Sequence, residues 1–322
     1  MVQTSIPMLN VALSGTLDGG LTPGLTVIAG PSKHFKTLFT LMMVRAYQEK
    51  YKDAIVLFYD SEFGSPQDYF KSLGIDTERI LHTPVTDVEI LKHDIMSQLD
   101  EIKRGAHLMI ILDSLGNLAS RKEVDDALSG KNVADMTRAK QIKSLFRMVT
   151  PHLTMKDIPM VVVNHIYEEL GLYPKKIVSG GTGVTLSADN IWIVGRQQEK
   201  EGTEVVGWDF IINVEKSRFV KEKSKIPISV TYEGGISTWS GLLDIALESG
   251  HVVSEKQGWY KIAGGAKSYR KADTNTKEFW MPILENKTFR DYISDKYKLG
   301  YADMLKEPTN ASIDEEYENA EA

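Results

Sequence analysis

The chain has 322 residues, 42% hydrophobic and 25% charged, enough for one large α/β domain and a small one. It has no cysteine, which excludes disulfides and thiolate metal sites and suits a cytoplasmic protein; no apolar run approaches the roughly 18 residues that span a membrane, and Met1-Val2-Gln3-Thr4-Ser5 lacks a secretory layout. The net charge of −6 argues against a broad nucleic-acid surface, but five acids and no base fall in the last nine residues, Asp314 to Ala322, leaving the body near neutral.

In chain order, the apolar run Leu25–Ala29 leads into Gly30-Pro31-Ser32-Lys33-His34-Phe35-Lys36-Thr37, and a helical pattern follows over Thr37–Glu49. Strand, turn and helix in that order make a phosphate-binding loop. Backbone N–H groups cradle a polyphosphate at the positive end of a helix. Lys36 then reaches the β- and γ-phosphates and the Thr37 hydroxyl ligates Mg²⁺. Phe35 stands where G-x-x-x-x-G-K-[ST] has glycine, so the alternative is a plain connection that happens to end in Lys-Thr.

The next strand, Ala54–Tyr59, is followed by Asp60-Ser61-Glu62, at the end of a strand where open α/β sheets bind ligands. A carboxylate there can orient the water that attacks a γ-phosphate; a capping turn before Pro66 is the other reading. Helical patterns over Pro66–Leu73 and Asp87–Arg104 precede the strand Leu108–Asp113, whose run Met109-Ile110-Ile111-Leu112 fits a sheet covered on both faces. Asp113 matches the acid that holds Mg²⁺ through water. A helix over Asp135–Thr150 leads to the strand Met160–Asn164 and to His165, which either senses a γ-phosphate for the loop that follows or is a satisfied structural residue. The seven histidines show no ligand spacing, so no metal beyond a nucleotide-bound Mg²⁺ is expected.

The strands Ile191–Val194, Trp208–Val214 and Pro227–Tyr232, joined by short turns such as Glu233-Gly234-Gly235, read as antiparallel. The densest basic stretch, Glu215-Lys216-Ser217-Arg218 with Lys221, Lys223 and Lys225, reads on its own as a solvated strand edge. The whole predicts an α/β fold with a mostly parallel central sheet flanked by helices over residues 1–240. A smaller C-terminal α/β unit follows over 241–308, and an acidic, disordered tail over 309–322.

These stretches resemble the RecA family of recombinases, nearest its phage members. The resemblance is carried by Ile6–Gly15, Gly30–Thr37, Leu57–Gly64, Asp113–Ser120 and Asp135–Lys140, and runs from about Ser5 to about Tyr297. Phe35 is shared by the phage members. The resemblance implies a RecA-type P-loop ATPase core using ATP and Mg²⁺. It places Gly30, Pro31, Ser32, Lys33, His34, Phe35, Lys36, Thr37 and Asp113 around the nucleotide, Thr37 and Asp113 at the metal, and Glu62 as general base. Tyr69 lies near the adenine-stacking position, with the local spacing shifted by one residue. His165 stands where bacterial relatives have glutamine, and Lys216 and Arg218 match two cations that reach a neighbouring protomer's ATP.

Two loops are implied to face DNA. The first covers Arg121–Asp135, with Arg121 and Lys122, and feeds the basic helix of Arg138, Lys140, Lys143 and Arg147; it also carries Glu123, Asp125 and Asp126. The second covers Ile166–Gly183, with Tyr167, Tyr173, Lys175, Lys176, Gly180 and Gly181. Glycine permits close backbone approach to phosphates, while lysine and aromatic side chains supply charge and stacking.

The expected activity is DNA-stimulated ATP hydrolysis driving strand exchange between single-stranded DNA and a homologous duplex, in the host cytoplasm and away from membranes. A single-strand-binding protein and a loading mediator are further implied partners. Family members carry an N-terminal helix and strand that dock on the next protomer, whereas this sequence opens on Ile6-Pro7-Met8. Helical filament, dimer and monomer therefore all stay open. The alternatives are a hexameric helicase-type motor of the same fold, and a mediator that holds ATP without hydrolysing it. The tail is a solvated end or competes with DNA for a basic surface.

Overall fold

The computed structural model describes residues 1–130, 136–168, 176–201, 204–231 and 235–300. The chain starts with helix α1 (Pro7–Ser14), which has Pro7 in its first turn and stops at Gly15 with φ 78°. There follow β1 (Gly24–Ala29), α2 (Lys36–Lys50), β2 (Ile55–Asp60), α3 (Gln67–Ser72), β3 (Ile80–Pro84), α4 (Val88–Glu101) and β4 (Leu108–Asp113). Then come α5 (Arg121–Leu128), α6 (Thr137–Met155), β5 (Pro159–Asn164), the short pair β6 (Ile166–Glu168) and β7 (Lys176–Val178), α7 (Thr182–Ser187), β8 (Asn190–Glu201), β9 (Glu204–Ser217), β10 (Lys225–Thr231) and β11 (Gly235–Ile236). The C-terminal part adds α8 (Leu242–Glu248), β12 (Val252–Lys256), β13 (Trp259–Ile262), β14 (Ser268–Arg270), α9 (Lys277–Leu284) and α10 (Lys287–Tyr297).

Nine strands form one sheet in the order β11-β10-β9-β8-β1-β5-β4-β2-β3. From β8 to β3 the strands are parallel, and β9, β10 and β11 extend one edge as an antiparallel meander. Every residue of β1, β4 and β5 is buried, as a sheet covered on both faces requires. Alternation divides them: Leu25, Val27, Ile110 and Leu112 pack with α4 and α6, while Ile28, Met109 and Ile111 face α1 and α2. The second layer also holds Leu242, Phe279, Trp280 and Phe289, so the C-terminal helices share that core, and β12, β13 and β14 form their own antiparallel sheet.

The predicted strands all form, with three departures. The strand over Ile191–Val194 is antiparallel only to β9; on its other side it runs parallel to β1. Strand β3 has no continuous apolar run, because it is the sheet edge and three of its five residues are exposed. Part of the expected first loop is helix α5, started by a capping box between Ser120 and Glu123. Among the described residues no helix is long and apolar enough to cross a membrane.

Candidate functional site

The parallel strands bring four chain positions to one end of the sheet. Asp60 pairs in register with Asp113, and Ala29 with Asn164, so the turns after β1, β2, β4 and β5 open side by side.

The turn after β1 is held in place by the strands beside it. Gly30 N–H donates to the Asn164 carbonyl at 3.3 Å, and a Cβ on Gly30 would lie 2.9 Å from the Val194 carbonyl oxygen. Arg196, stacked 4.3 Å over Trp208, donates to the Lys33 carbonyl at 3.3 Å, and the His34 ring lies 2.9 Å from the Ser32 carbonyl. Pro31, Ser32 and Lys33 are exposed. Phe35 takes φ 53°, the left-handed backbone for which the usual pattern supplies glycine. Such a conformation costs a bulky residue about 1–2 kcal/mol. Its ring packs 4.7 Å from that of Phe210, which helps to offset the cost.

Two residues of the first turn of α2 face the neighbouring strand ends. Lys36, only 7% exposed, donates from Nζ to the Pro31 carbonyl at 2.7 Å. Burial lowers its pKa, against the pull of Glu62 and Asp113. The Thr37 hydroxyl donates to Asp113 Oδ2 at 2.6 Å. Asp113 is 4% exposed, and burial pushes its carboxyl up to about 6, with Glu62 and Asp60 adding to the effect and the Thr37 bond opposing it.

Its other oxygen, Oδ1, is buried without a hydrogen-bond partner. A buried carboxylate oxygen of this kind is completed by a cation or by a cation's water. A hydroxyl and one carboxylate suit Mg²⁺, which takes few protein ligands and keeps phosphates and water for the rest. Thr37 and Asp113 therefore fit that ion. Among the described residues no group of three or more His, Asp or Glu is set to hold a metal without phosphate.

Glu62 lies at the centre of a side-chain triad. Its Oε1 accepts from the Ser114 hydroxyl at 2.7 Å and lies 3.0 Å from His165 Nε2, with 3.3 Å between Ser114 Oγ and that nitrogen. The Ser61 hydroxyl donates to the Ser114 carbonyl at 2.6 Å and accepts from Ser114 N–H at 3.0 Å, locking the ends of β2 and β4 together. Gly116 makes room for the histidine: a Cβ there would sit 2.5 Å from His165 Cδ2. Ser114 and Gly116 lie in a stretch that carries the resemblance, but the sequence assigns them no role, which shows only once β5 has brought His165 alongside.

The neighbouring Asn164 carries the connection onward. Its Nδ2 donates to the Ser179 carbonyl at 2.7 Å, and Ser179 N–H donates to the His165 carbonyl at 3.0 Å. Gly180 and Gly181 follow with φ 96° and 75°. Gly183 in α7 then meets α6 so closely that a Cβ would lie 2.7 Å from Lys143 Cα.

The other expected residues are spread more widely. Tyr69 on α3 is half-buried, packs against the core and lies close enough to Asp113 for that acid to help burial raise its pKa. Tyr167 is 52% exposed on β6, which pairs with β7, the strand that opens with Lys176. Tyr173 and Lys175 lie outside the described residues. Arg121 is exposed and donates its backbone N–H to Glu89, and Lys122 is ion-paired with Asp126. Arg138 faces inward, donating to the carbonyls of Leu115, Gly116 and Leu118 at 2.6–3.1 Å, and so holds the turn that carries Ser114 and Gly116.

Lys216 and Arg218 are not at this end. Ser217 pairs with Asn190 and Asn190 with Thr26, which puts both cations toward the N-terminal end of β1, at the opposite end of the sheet from the turn that follows it. Lys216 Nζ donates to the Thr185 carbonyl at 2.8 Å, and burial followed by the charge of Arg218 lowers its pKa. Arg218 pairs with Asp189 at 2.7 Å, and Asp189 also accepts from Leu25 N–H at 2.8 Å.

Residues 2–237 match the RecA N-terminal domain, and residues 239–293 match the C-terminal domain of the bacteriophage T4 recombination and repair protein. The recombination and repair protein of Enterobacteria phage T4 is 49% identical over an alignment of 325 positions, covering 98% of this chain and 83% of that protein. The RecA proteins of Tropheryma whipplei and a Nocardioides species are 28% and 29% identical, over 90% and 80% of this chain and 65% and 73% of their own lengths. With a strand-to-helix turn and strand-end acids arranged as described and both parts matched, the chain belongs to the RecA family.

Proposed function

We propose that this chain is an ATP-dependent DNA strand-exchange recombinase that hydrolyses ATP when bound to single-stranded DNA. The observation that carries the reading is the continuous path from Glu62 through His165 and Asn164 to Ser179 and the glycines after it. It ties a water-activating carboxylate to a glycine-rich segment suited to contact a DNA backbone.

Lys36 and the backbone of Gly30–Phe35 hold the phosphates of ATP. Thr37 and Asp113 hold Mg²⁺, which when bound neutralises charge on the β- and γ-phosphates. Glu62 orients the attacking water and takes its proton as the bond from the γ-phosphorus to the bridging oxygen of ADP breaks. His165 donates to Glu62 and registers the state of the second loop. Tyr69 borders the base. Lys216 and Arg218, remote from their own nucleotide, act on the ATP of a neighbouring copy, where cations stabilise the charge of the transferring phosphoryl group.

Arg121, Lys122, Tyr167, Tyr173, Lys175, Lys176, Gly180 and Gly181 contact DNA, and Arg138 supports from inside the turn that leads into the first loop. Base pairing supplies specificity, while the protein contacts the backbone and loses affinity with salt. Residues 1–240 form the ATPase core, and 241–308 help to capture duplex DNA. A single-strand-binding protein and a loading mediator are the further partners, in the host cytoplasm.

The test is steady-state ATP hydrolysis with and without single-stranded DNA, for the chain and for Glu62→Ala. The expected result is DNA stimulation that falls at least about 100-fold in the variant while nucleotide binding persists. Turnover in Glu62→Ala equal to the parent overturns the reading.

A further inference from the structure

Next to the triad is a second acid that the reading above leaves without a role. Asp60 ends β2 with its side chain 3% exposed, between strands that both bear on the site. A carboxylate so dry is costly unless its oxygens are bonded. Oδ1 accepts from the N–H groups of Glu62 and Phe63 at 2.9 and 2.7 Å, and Oδ2 lies 3.0 Å from His82 Nε2. These bonds occupy the carboxylate, so Asp60 itself is poorly placed to take a proton from water.

They fix its neighbour instead. Phe63 is held at φ 54° with its ring 64% exposed, and the chain turns so that Glu62 points back across the sheet to Ser114 and His165. His82 comes from β3, where the rings of Phe58 and Phe70 meet it edge-on at 5.3 and 5.8 Å. The two rings pack against the imidazole in the orientation that presents Nε2 to Asp60.

We propose that Asp60 and His82 are a positioning pair for Glu62: His82 clamps the Asp60 carboxylate, and Asp60 holds the backbone of Glu62 where its side chain meets the attacking water. The proposal rests on the role given to Glu62 above. Without the His82 N–H, Asp60 has a buried oxygen facing no donor and is free to rotate, releasing one or both backbone bonds. A cavity lined by Asp60, Phe63, Pro66 and His82 lies alongside, so substitution at His82 does not demand repacking of the core.

The experiment measures kcat and KM for ATP, with saturating single-stranded DNA, in His82→Leu, His82→Gln, Asp60→Asn and Glu62→Gln, and in Glu62→Gln combined with His82→Leu, followed there under single-turnover conditions. Expected is a fall in kcat of about 10- to 100-fold in His82→Leu, and a smaller fall in Asp60→Asn, which keeps the Oδ1 acceptor but turns an N–H toward His82, with KM within about twofold in both, because a displaced catalytic group costs rate before it costs binding. His82→Gln, which keeps an N–H donor for Oδ2, recovers most of the loss. In the Glu62→Gln background His82→Leu adds nothing further. A parental kcat in both His82→Leu and Asp60→Asn, a loss that His82→Gln fails to restore, or a loss that adds in full to that of Glu62→Gln overturns the pair. A Glu62→Gln protein that turns over at the parental rate instead sinks the role of Glu62, and the pair with it.

Discussion

The two ends of the parallel sheet carry cations of opposite character. At the C-terminal end Lys36 is buried, held by the Pro31 carbonyl and depressed in pKa, with Asp113 and Glu62 close by. At the N-terminal end Lys216 is likewise lowered in pKa by burial and rests on carbonyls of α7, but its neighbour is a cation, Arg218, two-thirds exposed and paired with Asp189. Buried charge is costly and is kept where a ligand will use it. Arg218 is exposed while Asp189 is buried and keeps its bond from Leu25 N–H, so the guanidinium is the member of the pair that can turn to another partner. The proposed function uses one end as the phosphate site and the other as a contact to a neighbouring copy, out of reach of the nucleotide of its own chain.

The largest effects follow from separating these ends genetically. Lys36→Ala is expected to reduce DNA-stimulated hydrolysis by more than about 1,000-fold, and Lys216→Ala by about 100- to 1,000-fold with nucleotide binding intact. On the proposed reading each variant spoils a different half of a site shared between neighbouring copies. In an equal mixture, about a quarter of contacts join an intact phosphate site to an intact Lys216, as head-to-tail assembly dictates. Turnover should recover toward that fraction. A mixture as inactive as its components would place both functions in one chain and break the contrast drawn above.

A smaller effect tests how the C-terminal end is wired. Gly116→Ala puts a methyl group 2.5 Å from His165 Cδ2, so the ring must leave Glu62. Overpacking of this kind costs about 1–3 kcal/mol, and DNA stimulation should fall about tenfold or more while nucleotide binding is kept. Stimulation at the parental level would remove His165 from the path between Glu62 and Ser179.

What could be read from the sequence was what is local. The apolar run before Gly30 and the acid at the end of Leu108–Asp113 are contiguous signals, and both landed on the sheet as expected. The capping box of Ser120 and Glu123 is equally local, yet the expectation of a loop over Arg121–Asp135 does not contain the helix it starts. The Gly116–His165 contact and the Asp60–His82 pair join residues 49 and 22 positions apart, and only strand order makes them neighbours. The same holds for Lys216 and Arg218, whose place depends on β9 running against β8.

The smallest expected effect concerns stability. Asp113 has its carboxyl raised from 3.8 to about 6 by burial, so the folded protein binds this proton more tightly than the unfolded chain. Its contribution to stability is fully present below about pH 4 and is lost as pH rises through about 6. At pH 7 the ionised carboxylate thus burdens the metal-free fold by about 3 kcal/mol at most. Asp113→Asn removes the charge, keeps an acceptor for Thr37, and leaves a buried N–H where Oδ1 now lacks a partner, which takes back part of the gain. The variant should melt about 2–4 °C above the parent at pH 7 without Mg²⁺, a margin that closes by pH 4. With Mg²⁺ and nucleotide the parent should gain more than the variant, and the variant should lose hydrolysis. A variant less stable than the parent at pH 7 would mean that the Asp113 carboxylate is already compensated within the fold, and that its strain is not held in reserve for the cation.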